Sequence, residues 1–175
     1  MNKILHSKIL GEGKPLIILH GLFGMLDNWQ ALAKEFACFF DTHIIDLRNH
    51  GRSFHANQHN YELMSEDLLS YLNAYNLDEV CLIGHSMGGK VAMTFACMYP
   101  EKVKKLVVVD IAPKYYPPHH QEILSALNAV EQAKIKSRKD ADQILSQYFS
   151  ESAMRQFLLK NLYIVYFSVY VSILI

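Results

Sequence analysis

The hydrophobic pattern of this chain alternates between short apolar runs and helical periodicity for its first two-thirds, then changes character. Pro15-Leu-Ile-Ile-Leu19 is an uninterrupted apolar run after a turn signal at Gly11-Glu12-Gly13. Such a run fits a strand buried on both faces of a parallel sheet. Lys3 to Leu10 precedes it as a first strand, and Phe40 to Leu47 and Val103 to Asp110 read as further strands. Between them lie helical stretches. One follows Asp27, a candidate cap, with Trp29, Leu32, Ala33 and Phe36 on one face. Another spans Glu62 to Tyr75, with Leu63, Leu68, Leu72 and Tyr75 inward and Glu66 and Asp67 outward. Strands and helices in this alternation predict an α/β fold, an open and mostly parallel sheet with helices on both faces.

The stretch that organises the rest is Val80-Cys-Leu-Ile-Gly-His-Ser-Met-Gly-Gly-Lys90, an apolar strand running through Gly84-His85-Ser86-Met87-Gly88 into a helix. A G-x-S-x-G turn in this strand–turn–helix setting is the signature of an exposed nucleophilic serine. Gly84 and Gly88 leave room for a sharp reversal, and Gly89 lets the helix approach the sheet. The turn predicts Ser86 as nucleophile, at a helix N-terminus whose dipole favours developing negative charge.

A serine hydroxyl needs a general base, an orienting carboxylate and N–H donors for the oxyanion. His20-Gly21-Leu22-Phe23-Gly24 directly follows a buried strand, so the Leu22 N–H is one candidate donor. The Met87 N–H, next after the nucleophile, is the other. Asp110, at the end of the strand after the nucleophile strand, is the candidate carboxylate, and it follows Ser86 as the Ser…Asp…His order requires. Asp46 precedes Ser86 and is read as a structural residue holding the Arg48–Ser53 loop. The base is the difficulty. No histidine follows His120. His119 and His120 suit a surface or substrate-facing role, His85 sits one position from the nucleophile, and His50, His55 and His59 lie in a polar loop.

After Asp110 the alternation stops. Ile111-Ala-Pro-Lys-Tyr-Tyr-Pro-Pro118 is aromatic and proline-punctuated, and helical stretches follow around Gln121–Ala133, Lys139–Phe149 and Glu151–Leu159. A helical insertion of this kind predicts a cap or lid. The last segment, Leu162 to Ile175, has 14 residues with no charge, glycine or proline. It is short of the roughly 18–20 residues that span a bilayer as a helix, and its β-branched and aromatic content suits a strand. The division expected is therefore a core over 1–112, a cap over 113–161 and an apolar tail over 162–175.

Composition narrows the function classes. The 175 residues carry 17 Lys+Arg and 17 Asp+Glu, a net charge of +0, which leaves no electrostatic footprint for nucleic acid or an anionic membrane. The hydrophobic fraction is 51%, raised in part by the tail. Cys38, Cys81 and Cys97 are widely spaced among apolar residues, without metal-ligand spacing, and read as buried thiols of a cytoplasmic protein. No metal and no cofactor is expected, and the N-terminus lacks the apolar core of a signal peptide.

Taken together, His20–Gly24, Asp46-Leu-Arg-Asn-His-Gly-Arg-Ser53, Gly84–Gly89 and Val107-Val-Val-Asp-Ile-Ala-Pro113 resemble the α/β-hydrolase superfamily. Within it they are most similar to bacterial YbfF-type esterases, over about residues 3 to 161. The resemblance implies a serine hydrolase acting on acyl esters or acyl-CoA thioesters. Ser86 would be nucleophile, Asp110 acid, and Leu22 and Met87 oxyanion donors, with a helical cap over an apolar acyl pocket. It also implies two further sheet strands and a base histidine on a loop after the last one. This chain carries neither, and its uncharged tail reads like out-of-frame translation, so a truncated or frameshifted and impaired enzyme is expected. The alternative is a non-catalytic remnant that at most binds a hydrophobic ligand; acyl transfer or lyase chemistry is a third reading. The expected partner is a small-molecule ester or thioester, with oligomeric state left open.

Overall fold

The computed structural model describes residues 4–117, 120–133, 135–165 and 168–171. The chain divides into two compact units, residues 1–113 and 114–173. The first is built on a five-stranded sheet of β1 (Ser7–Leu10), β2 (Lys14–Leu19), β3 (Phe40–Ile45), β4 (Val80–His85) and β5 (Val103–Val109). Its strand order is β1-β3-β2-β4-β5, with β1 antiparallel to β3 and the other pairs parallel. The helices of this unit are α1 (Gln30–Phe36), α2 (Tyr61–Ala74) and α3 (Met87–Met98).

β2 shows why an unbroken apolar run belongs at the centre. It pairs with β3 on one side and β4 on the other. Its side chains alternate between two cores. Leu16 and Ile18 pack with Leu26, Ala33 and Ile44 on the α1 face. Ile17 and Leu19 pack with Leu68, Leu72, Val91 and Phe95 on the face of α2 and α3. Helices thus cover both faces, as expected.

Three local expectations are corrected. Asp27 does not cap α1. It lies inside a 3₁₀ turn, Leu26–Asn28, where its carboxylate accepts from the Gln30 side chain, and Trp29 stands at the helix start. Leu32 is 51% exposed while Ala33 is buried, because α1 is only two turns long and lays a narrow stripe on the sheet. On α2 the buried seam is Met64, Leu68, Tyr71 and Leu72; Tyr75 is exposed. The seam is rotated by one residue from the leucine spacing. Asp67 therefore faces inward, where it takes both arms of Arg48, Nε to Oδ2 at 2.5 Å and Nη2 to Oδ1 at 2.8 Å. Arg48 also donates to the Gln58 and Leu63 carbonyls. Removing the carboxylate leaves a buried guanidinium half-satisfied. Asp67→Ala is expected to lower unfolding free energy by on the order of 2 kcal/mol, read from urea midpoints.

A second polar link fastens β3 to α2. His43 bonds Tyr71 Oη through Nδ1 at 2.8 Å and Asp41 Oδ2 through Nε2 at 3.1 Å. Burial pushes the Tyr71 hydroxyl well above its ordinary pKa, so it stays neutral and serves the imidazole as a hydrogen-bond partner only.

β5 forms the edge of the described sheet, and Leu106, Val107 and Val109 on it are exposed. The described part of the apolar tail forms a pairing of its own. Its strands β6 (Leu162–Val165) and β7 (Ser168–Val171) pair antiparallel with each other in a separate two-stranded sheet. The second unit also contains α4 (Gln121–Gln132), α5 (Arg138–Leu145) and α6 (Ser152–Leu159). Leu127, Val130, Leu145, Leu158 and Leu159 are buried in it and line a small apolar cavity. Ser137 and Asp140 cap α5 reciprocally, and Arg155 ties α6 to Asp142 at 3.0 Å.

The cysteines also differ from expectation. All three are free, but Cys38 and Cys97 are exposed and Cys81 is half-buried. Their sequence neighbours Phe39 and Met98 are exposed as well, so both thiols lie on the outer side of the helix ends. Among the described residues no helix is long and apolar enough to cross a membrane.

Candidate active site

The turn from β4 into α3 is the most strained backbone in the site. Ser86 has φ 50° and ψ −115°, outside the regions an L-residue occupies comfortably. Two bonds hold it there: its N–H donates to the Val109 carbonyl at 3.0 Å, and its carbonyl accepts from Lys90 N–H at 3.1 Å. The glycines are required by close approach. A Cβ on Gly84 would lie 2.3 Å from the Gly88 carbonyl oxygen, and one on Gly88 would lie 2.5 Å from the carbonyl oxygens of Leu19 and His20. α3 therefore starts in backbone contact with the end of β2. Met87 is its first residue, so its N–H has no acceptor within the helix.

The loop after β2 is fixed from below by a histidine whose role was not legible in the motif. His20 is buried, with Nδ1 2.8 Å from the Gly21 carbonyl and Nε2 3.0 Å from the Leu47 N–H. The Leu47 N–H is the donor to Nε2, so Nε2 accepts and Nδ1 carries the proton that goes to the Gly21 carbonyl. Burial pushes the His20 pKa down to about 4, keeping it neutral. The Leu47 bond also explains why β3 ends at Ile45, two residues earlier than the sequence pattern indicates. Beside it, Asp46 accepts from Leu26 N–H at 2.7 Å and Arg52 N–H at 2.9 Å, and its carbonyl accepts from Ser53 Oγ at 2.5 Å. Asp46 thus holds the Arg48–Ser53 loop and also reaches across to the segment after Leu22. Gly51 sits against its carboxylate at positive φ, where a Cβ would overlap the carboxyl group.

Leu22 is half-buried in this loop, and Phe23 has φ 61°. Gly21 faces the nucleophile turn: a Cβ built on it would lie 3.3 Å from Ser86 Cβ and 2.9 Å from His85 Nδ1. Asp110 follows β5 immediately with φ 56°, and its side chain is 86% exposed. Its carboxylate is 3.8 Å from His85 Nε2. Ser86, Met87, Leu22 and Asp110 are thus brought to one edge, the C-terminal ends of β2, β4 and β5. Open α/β sheets place their ligand sites at that edge.

The model of the alpha/beta hydrolase fold family matches residues 14–134, more than half the chain. The chain belongs to this family. It is 40% identical over 151 residues to Esterase YbfF of Escherichia coli, covering 86% of this chain and 59% of that protein. It is 43% identical over 155 residues to the mouse sn-1-specific diacylglycerol lipase ABHD11, covering 84% of this chain and 50% of that one. A solved marine microorganism esterase superposes with a TM-score of 0.94 at 43% identity, covering 98% of this chain and 69% of its own. The chain spans about half to three-fifths of the length of these curated relatives.

In this α/β-hydrolase His50 and His59 are held within the loop after β3. His50 is buried beside His20, ring centroids 5.1 Å apart, and donates Nδ1 to the Arg48 carbonyl at 2.9 Å. Burial, with His20 beside it, lowers its pKa to about 3. His59 stands against Asn49, 3.3 Å from its Nδ2, and burial lowers its pKa as well. His55 is exposed, and His120 stands at the start of α4 in the second unit. His119 lies outside the described residues. Among the described residues no cluster of His, Cys, Asp or Glu has the arrangement of a metal site.

Proposed function

We propose that this chain is a serine hydrolase of acyl esters or acyl-CoA thioesters. Ser86 is the nucleophile, the Leu22 and Met87 N–H groups receive the oxyanion, and Asp110 supplies the carboxylate. The observation that carries this reading is the Ser86 backbone, held at φ 50° and ψ −115° between β4 and the first turn of α3. That conformation costs of order 1–3 kcal/mol. Its return is a half-buried serine beside a helix N-terminus, where negative charge develops in acyl transfer. Esterase and lipase are the names carried by the relatives at 40–43% identity.

The substrate is a small uncharged or anionic acyl compound, and no cofactor or metal enters the reaction. Residues 113–161 are the cap of such an enzyme and 162–175 an apolar tail; the three free thiols suit a reducing, cytoplasmic setting. Losing the base of such a triad costs on the order of 10⁶ in turnover, while about 10³ over water survives through the oxyanion hole and binding.

Hydrolysis of p-nitrophenyl butyrate by the purified chain, beside Ser86→Ala, tests this. Turnover above buffer that disappears in Ser86→Ala is the expected result. Equal rates for the two proteins would overturn the reading and leave the chain a non-catalytic acyl-binding relative.

A further inference from the structure

The Gly21–Leu22 peptide, in the loop after β2, is held by its carbonyl. β2 is paired to β4 as far as Leu19 opposite Gly84, so this peptide follows directly beside His85 and Ser86. The Gly21 carbonyl accepts twice, from His20 Nδ1–H at 2.8 Å and from Gly24 N–H at 3.0 Å. The first of these bonds is buried. No peptide among the described residues is cis, and in a planar trans peptide the N–H points opposite to the carbonyl. A Gly21 carbonyl drawn inward to His20 therefore sends the Leu22 N–H outward. No backbone carbonyl of the described residues accepts that N–H. Leu47 completes the arrangement: by donating to His20 Nε2 at 3.0 Å, its N–H fixes the tautomer that carries the proton on Nδ1. At the far end of the loop, Asp46 Oδ1 accepts from Leu26 N–H at 2.7 Å. Two consecutive residues after β3 thus anchor both ends of the segment that carries Leu22.

We propose that His20 is the positioning residue of the oxyanion hole: through the Gly21 carbonyl it aims the Leu22 N–H at the oxygen of the carbonyl that Ser86 attacks. The inference rests on Ser86 being the nucleophile and Leu22 an oxyanion donor. His20 touches no substrate, and its effect passes through one peptide plane. An oxyanion donor is effective only when it is aimed before charge develops, so that no reorganisation is needed during the reaction. Without the Nδ1–H, the Gly21 carbonyl keeps only the Gly24 N–H, and the peptide between Gly21 and Leu22 can rotate. The two ring nitrogens divide the roles. Nε2 serves the Leu47 N–H and hence the fold; Nδ1–H serves the Gly21 carbonyl and hence the donor. If His20 only braced the loop, activity would follow stability.

The test is steady-state hydrolysis of p-nitrophenyl butyrate by the whole chain, with urea midpoints, for His20→Asn, His20→Gln and His20→Ala beside Ser86→Ala. The Asn amide N–H falls near the place of Nδ1, whereas the Gln amide oxygen reaches the place of Nε2. His20→Gln and His20→Ala are expected to lose about tenfold to a hundredfold in kcat, short of the roughly 10²–10³ for deleting such a donor. Their KM should stay within about twofold, because the donor acts on the transition state rather than on the bound ester. His20→Asn should keep kcat within about threefold, since it still donates to the Gly21 carbonyl. Its urea midpoint should nevertheless fall further than that of His20→Gln, because the Leu47 N–H loses its acceptor. Between these two variants the order of activity is then the reverse of the order of stability. Suppose turnover disappears in Ser86→Ala, yet kcat follows the urea midpoint or is unchanged in His20→Gln and His20→Ala. The positioning role is then overturned while the serine hydrolase reading stands. Equal rates for wild type and Ser86→Ala overturn both. Should the His20 variants fail to fold, nitrogen NMR of the wild-type imidazole decides: a proton on Nδ1 supports the role, and one on Nε2 overturns it.

Discussion

Gly88→Ala is expected to destabilise the first unit by about 4 kcal/mol, at the upper end for one added methyl group. The new Cβ would meet the carbonyl oxygens of both Leu19 and His20 at 2.5 Å. Neither can give way cheaply. Leu19 lies at the centre of the sheet, paired to β3 and β4, and His20 is pinned through its side chain to Gly21 and Leu47. The helix must therefore withdraw, which carries the Met87 N–H away from Ser86. Loss of stability and loss of Ser86-dependent turnover should appear together, with a fall in melting temperature of roughly 8–16 °C for a chain of this size. A Gly88→Ala protein melting within 2 °C of wild type would show that α3 does not seat on the end of β2 as described.

Acidification is the second large effect. The neutral His20 and His50 have pKa values of about 4 and about 3 in the folded chain, against 6.5 when unfolded. Between those limits the unfolded chain binds protons that the folded one refuses, so stability falls as pH drops below 6.5. The loss from His20 is complete below about pH 4 and amounts to about 3 kcal/mol; His50 continues it to about pH 3. Asp46 acts in the opposite sense. Burial raises its pKa, so protonation in the carboxylate range returns part of the loss. Protonated His20 cannot accept from Leu47 N–H, so the loop carrying Leu22 should loosen first, visible as faster amide exchange at Leu47. Urea midpoints at pH 7, 5.5 and 4 measure the slope, and His20→Gln, which keeps an acceptor near Nε2, should flatten it. A midpoint unchanged from pH 7 to 4 would rule out buried neutral imidazoles.

Much of the fold follows from local pattern because the pattern reflects local causes. β2 is apolar at every position from Leu16 to Leu19 since both faces are covered, and Gly84, Gly88 and Gly89 are small since backbones meet there. The seam of α2 was harder to read. Leucine spacing favours Leu63 and Tyr75, whereas burial selects Met64 and Tyr71, and the reason lies on β3, where His43 needs the Tyr71 hydroxyl. Asp67 likewise looks like a surface carboxylate until Arg48, nineteen residues earlier, is placed against it.

The sequence by itself determined the family, the sheet with helices on both faces, and the serine turn with its flanking glycines. These depend on period, on steric size and on the order of residues along the chain. Only the tertiary structure decided how the histidines divide their work. His20 and His50 are buried neutral braces, His43 is a link between layers, and His85 stands 3.8 Å from Asp110 across the ends of β4 and β5. An imidazole's tautomer and charge are set by which donors, carboxylates and apolar walls surround it. Those neighbours come from distant strands, so no window of sequence contains them.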